Sequence, residues 1–110
     1  MIVASRSLTL RQQEGSVAVE VRIFAPQPDQ GQWSCAYEID WPERTRKFAA
    51  HGADSMQALT LALSMIGSEI YTSNYHKSGS LSSADSWKGY GFPVPKNLRD
   101  LLIGDDAKYL

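Results

Sequence analysis

Residues 54–72, DSMQALTLALSMIGSEIYT, decide the fold. Asp54 can accept from the free amides of a helix N-terminus, and Gln57, three positions on, completes a capping-box pattern. At about 100° per residue, Met56, Leu59, Leu63, Ile66 and Ile70 form one stripe, which Ala58, Leu61, Ala62 and Met65 widen to about 220° of arc. No charge occurs from Ser55 to Ser68, and Glu69 then falls inside the apolar side. A helix resting on one surface carries a charged back, but here the remainder is Gln57, Thr60, Ser64, Gly67 and Ser68. The pattern predicts a long helix covered twice, by a sheet and by a second surface that small neutral residues allow to come close.

Upstream, apolar and polar residues alternate with a period of two, the pattern of half-buried strands. Residues 2–10 place Ile2, Ala4, Leu8 and Leu10 on one side, with Arg6 interrupting it. Residues 17–25 set Val17, Val19, Val21 and Ile23 against Glu20 and Arg22, and residues 33–41 set Trp33, Cys35, Tyr37, Ile39 and Trp41 against Ser34, Ala36, Glu38 and Asp40. A fourth strand over 44–51 carries Arg44, Arg46 and Lys47, charges suited to a sheet edge. The loops between are read at 12–16, at 25–32, where two prolines and a glycine interrupt any ladder, and at Pro42 and Glu43.

Downstream, residues 73–95 mix serines and glycines with Tyr75, Trp87, Tyr90 and Phe92, a loop too aromatic for a plain linker. Asn97 can cap a short helix over 98–103, closed by Gly104, and residues 105–110 read as a frayed tail. The expectation is one α+β domain over 1–110: a four-stranded antiparallel meander, one long helix packed on one face, an aromatic loop and a short C-terminal helix.

Composition narrows the function classes. The 110 residues suffice to bury roughly 65% of the surface of the unfolded chain. With 43% hydrophobic residues, 21% charged residues and a net charge of -1, the chain reads as an ordinary globular protein. Arg44, Arg46, Lys47, Lys77, Lys88, Lys96 and Arg99 are interspersed with acids, and this near-neutral balance argues against nucleic acid as a partner. The longest apolar stretch falls far short of the ~20 residues that span a bilayer. A single cysteine and no leader-like N-terminus point to the cytoplasm.

Glu69, Tyr71, Tyr75, His76, Trp87, Tyr90 and Phe92 are the candidate ligand or partner contacts, gathered by sequence at the end of the long helix and along the aromatic loop. An unpaired Glu69 on an apolar face would be costly, which marks it as a base or as the partner of a cation; its place in the last helical turn also offers an ordinary route to solvent or to an Arg or Lys. His51 and His76 flank a helix about 27 Å long, too far apart for a shared site unless the loop folds back. Cys35 shares the parity of Trp33 and Tyr37 and reads as a core residue. Gly89 and Gly91 make a weak phosphate-cradle signal, because no helix opens at them. No catalytic residue, metal site or cofactor is assigned.

CAYEIDWP at 35–42, IGSEIYTSNYHKSG at 66–79, GYGFPVP at 89–95 and LRDLLIGDD at 98–106 together resemble a family of small bacterial proteins of unknown function. The resemblance extends over nearly the whole chain and implies no activity. More distantly, strands leading into GADSMQAL are similar to the partner-binding half of HicB-type antitoxins. The functional expectation is a non-enzymatic interaction module, a homodimer or the binder of another protein. The competing expectation is a small ligand-binding protein or enzyme with its site at the C-terminal end of the long helix and the aromatic loop.

Overall fold

The alternating segments form strands whose central residues face as expected, whereas Ile2 and Val17, expected on the inward faces, are exposed. In the computed structural model, which describes residues 1–84 and 86–110, β1 (Ile2–Gln12) pairs antiparallel with β2 (Gly15–Phe24). β2 pairs with β4 (Gln32–Trp41), and β4 pairs with β5 (Arg44–Gly52). Those four make the expected meander, but among the described residues the sheet has six strands. The short β3 (Gln27–Asp29) lies beside the start of β4, and β6 (Leu81–Ser82) pairs with Thr9 and Leu10 of β1.

The four-stranded reading is corrected for physical reasons. Pro28 stands opposite Trp33 in a three-residue strand, where its missing N–H costs little of the ladder. The turn expected over 25–32 splits into a link at Ala25 and Pro26 and a tight turn at Gln30 and Gly31, both left-handed with φ of 51° and 82°. β6 is two residues long, too short to leave a periodic trace. The first hairpin is also tighter than expected, with Gln12 already paired to Gly15.

One face of the sheet carries the core: Leu8, Leu10, Val19, Val21, Ile23, Cys35, Tyr37 and Ile39 are buried. The opposite face is open to water, as antiparallel sheets allow. There Arg22 donates to both Asp40 oxygens at 2.8 and 2.7 Å and to Glu38 at 3.0 Å. The Arg22 hydrogen bond holds the Asp40 carboxyl below the usual carboxylate range.

Helix α1 (Ser55–Tyr71) opens as expected, with the Gln57 amide donating to Asp54 Oδ1 at 2.7 Å and the Ala53 amide to Gln57 Oε1 at 2.6 Å. It lies over β4 and β5. The buried line runs Ala58, Ala62, Ile66, Ile70, whereas Met56 is 75% and Leu61 42% exposed. The expected stripe is therefore rotated. Alanines let the first turns settle close on the sheet: a Cβ at Gly52 would lie 2.6 Å from the Ala58 amide.

Part of the second cover is the chain itself. A Cβ on Gly67 would come within 1.8 Å of the Pro93 carbonyl oxygen, so the segment 89–95 crosses α1 where a side chain is missing. Beyond it, a 3₁₀ helix (Lys96–Leu101) replaces the short helix expected over 98–103, without a side-chain cap from Asn97. The expected frayed tail is instead α3 (Gly104–Tyr109), which Gly104 opens rather than ends. Between α1 and β6 stands the one-turn α2 (Asn74–Lys77), capped by Ser73. Among the described residues, no helix is long and apolar enough to cross a membrane.

Candidate functional site

Asp106 organises the end of the molecule where the candidate residues lie. It is fully buried, and its carboxylate accepts from four groups. Trp87 Nε1 donates at 2.6 Å, the Tyr90 and Gly91 amides donate at 2.8 Å each, and the Tyr71 hydroxyl donates as well. All four partners are donors, so the two oxygens are satisfied without a buried cation. The glycines of GYG make this possible: Gly89 and Gly91 have φ of 113° and 78°, and a Cβ at Gly89 would lie 2.5 Å from the Asp106 carboxyl carbon. The triplet does cradle an anion, and the anion is the chain's own side chain.

The aromatic groups around this carboxylate pack on one another. Tyr71 meets the His76 ring edge-on at 4.9 Å and the Tyr90 ring at 5.1 Å. His76 Nδ1 and the Tyr90 hydroxyl share a hydrogen bond of 2.5 Å. Burial raises the Tyr71 hydroxyl and pushes Tyr90 up to about 12, and burial lowers His76 below its ordinary value. These directions favour neutral rings at neutral pH. Arg6, the residue that interrupts the apolar side of β1, donates to the Tyr90 and Gly91 carbonyls at 3.0 and 2.8 Å. Its guanidinium also lies 4.8 Å from the centre of the Phe92 ring.

The seven candidate residues thus fall into three places. Tyr71, His76, Trp87 and Tyr90 gather around Asp106; Phe92 packs between Arg6 and the body; Glu69 and Tyr75 lie elsewhere. Glu69 accepts from Arg46 Nε at 2.9 Å and from the Tyr37 hydroxyl, so it is the partner of a cation on the sheet edge. Tyr75 stacks on Trp41 at 5.3 Å and donates to Glu43 at 2.6 Å. That bond lowers the Glu43 carboxyl and raises the Tyr75 hydroxyl. Between these two pairs runs an open groove of about 800 Å³, lined also by Arg44, Thr72, Ser73 and Asn74.

Trp87 leans on Tyr109 of α3, with ring centres 5.8 Å apart. Asp106 itself escaped the sequence reading, since an acid in an apparent tail reads as solvated. Its signals were remote from it: Arg6 on an apolar parity and two glycines flanking Tyr90. Cys35 is buried, its thiol pointing at the Phe24 carbonyl at 3.3 Å, and burial raises its pKa. Among the described residues, no three His, Cys, Asp or Glu stand together as a metal-binding set.

The chain belongs to the family described as Domain of unknown function (DUF6968), whose pattern matches residues 4–94. No curated protein and no solved structure matches it. The match ends before α3, so Asp106 lies outside the matched residues while its donors Tyr71, Trp87, Tyr90 and Gly91 lie within.

Proposed function

We propose that the chain is a small non-enzymatic interaction module of a bacterial cytoplasm, and that its first partner is a second copy of itself. One observation carries the reading. The groups with chemical potential at the end of α1 are engaged with each other: Asp106 in four bonds, Glu69 in two and His76 with Tyr90, and among the described residues no buried side-chain nitrogen or oxygen lacks a partner. A general base needs a free lone pair facing a substrate, and a nucleophile needs a base beside it. Here the polar network fastens the C-terminal segment to the core. The surface left for function is apolar and uncharged along one side of α1, where Leu61 is 42% exposed.

Light scattering on the purified chain from about 10 to 200 μM tests this, a range that covers micromolar association. A species of twice the chain mass is expected, and a strict monomer throughout overturns self-association. A toxin-neutralising role, in keeping with the likeness to HicB-type antitoxins, further requires a stable complex with a co-expressed protein.

A second reading, a small-ligand binder, rests on the groove beside Trp41 and Tyr75, where Arg44 and Arg46 reach the same open volume. It requires a ligand that raises the melting temperature of the wild-type chain but not of Arg44→Ala. If Glu69→Gln and His76→Ala leave every such binding signal unchanged, the site proposed at the helix end is wrong.

A further inference from the structure

We propose that the hollow beside Arg6 binds a small carboxylate with an apolar tail, the tail lying between β1, β2 and α1 and the carboxylate on the Arg6 guanidinium. The site shares no residue with the groove beside Trp41 and Tyr75. Leu63, which lines it, stands two positions from Leu61 and so about 200° around the helix, away from the surface assigned to self-association.

The hollow follows from an offset between layers. Helix α1 packs over β4 and β5, so the inner face of β1 and β2 needs another cover, and the arch through Phe92 and Pro93 supplies only part of it. Ala4 and Arg6 stand opposite Ile23 and Val21 in the β1–β2 ladder. Ala4 is too short to fill the space beside it and remains exposed. What is left is a cavity of about 260 Å³, with Val21 and Ile23 as its floor, Leu63 and Ile66 as one wall and Phe92 at its end.

Size and charge select the occupant. An apolar cavity of about 150 Å³ holds benzene, so this one takes a somewhat larger group, an aromatic ring with a short chain or an alkyl chain of similar bulk, and is too small for a nucleotide. Among the described residues that line it, Arg6 alone is charged. Its Nη1 donates to the Tyr90 and Gly91 carbonyls, which occupy hydrogens without neutralising the cation. Among the described residues Nε and Nη2 have no acceptor, and no carboxylate pairs with the guanidinium.

The Nε–Nη2 edge is a fork that receives a carboxylate through two parallel bonds. The two carbonyls and the Phe92 ring, 4.8 Å away, already hold the guanidinium in place, which lowers the ordering cost of binding. Arg6 is exposed, so a ligand's carboxylate rests at the mouth while its tail is buried. A phosphate dianion calls for a second cation, and the lining offers none.

Calorimetric titration of the full chain with octanoate tests the site. One binding event with a Kd of about 0.1–1 mM is expected, hexanoate about 10-fold weaker for the loss of two methylenes, and octan-1-ol at least about 5-fold weaker than octanoate for the loss of the charge. Ala4→Phe, whose ring fills the hollow, is expected to abolish octanoate binding with the urea midpoint of the chain kept. Arg6→Gln is expected to weaken octanoate at least about 5-fold and to leave octan-1-ol unchanged. No saturable heat up to about 10 mM octanoate, or binding that Ala4→Phe leaves intact, overturns the site. Octan-1-ol binding as tightly as octanoate overturns the carboxylate as its ligand.

Discussion

The hydroxyl of Tyr71, in the last turn of α1, donates to the carboxylate of Asp106, thirty-five positions further on, and both groups are inaccessible to solvent. Around this bond the chain closes on itself: α3 supplies the acceptor, and α1, Trp87 and the GYG turn supply the donors.

Removing the carboxylate leaves buried donors unpaired. Asp106→Ala is expected to cost at least about 3 kcal/mol in urea unfolding, and Asp106→Asn nearly as much, since an amide turns its own hydrogens toward donors. Tyr71→Phe removes one donor to Asp106 and the acceptor of the Ile103 amide, and is expected to cost about 1–2 kcal/mol. Equal midpoints for Asp106→Ala and the wild type would show that the network contributes nothing to stability.

Gly67 is a substitution where helix propensity and packing disagree. Alanine is favoured in a helix interior by about 1 kcal/mol, but its Cβ would meet the Pro93 carbonyl at 1.8 Å. Packing is expected to win, with a net loss of about 1–3 kcal/mol and faster amide exchange over residues 89–95. Mass spectrometry of exchange reads the second effect directly.

The His76 ring gives the fold a pH response in the weakly acidic range. Burial holds its folded pKa below the ordinary 6.5, so the unfolded chain takes up the proton first as pH falls. The contribution of the neutral ring is complete above 6.5 and is lost as pH drops from there toward the folded value. Denaturation of the wild type at pH 7.5 and 5.5 should differ by more than that of His76→Gln. Identical pH slopes in the two chains would exclude the histidine as the source.

Cys35 should be silent in the native state. Its thiol is buried and its pKa is raised, so a thiol reagent at pH 8 is expected to modify it only as fast as the chain opens. Labelling within mixing time in native buffer would contradict the position of β4 in the core.

The strand faces and the start of α1 were legible because their causes are local. Alternation over 17–25 and 33–41 fixes which side of each strand is buried, and Asp54 with Gln57 sets the helix start. Which line of α1 meets the sheet was not legible. That depends on the small size of Ala58 and Ala62, and period alone ranks them below Met56. The short strands β3 and β6 escaped because a Pro-containing triplet and a dipeptide carry no period. The second cover of α1 was half legible: Gly67 marked a close approach, but only the fold identifies Pro93 as the group that makes it. The Asp106 site was hidden for the same reason, since all its donors are distant in sequence.

Those distances also set a folding order. Arg6 bonds to carbonyls 84 and 85 positions away, whereas the β1–β2 and β4–β5 hairpins close over turns of a few residues. Closing a long loop has a larger entropic cost than closing a short one, and the cost is met before its contacts form. The meander and α1 are therefore expected to assemble first, with the arch from Tyr90 to Val94 settling over Gly67 last. By the same reasoning the arch is the unit that opens first from the native state, so brief exposure of the helix back depends on the Arg6 and Asp106 clasps rather than on global unfolding.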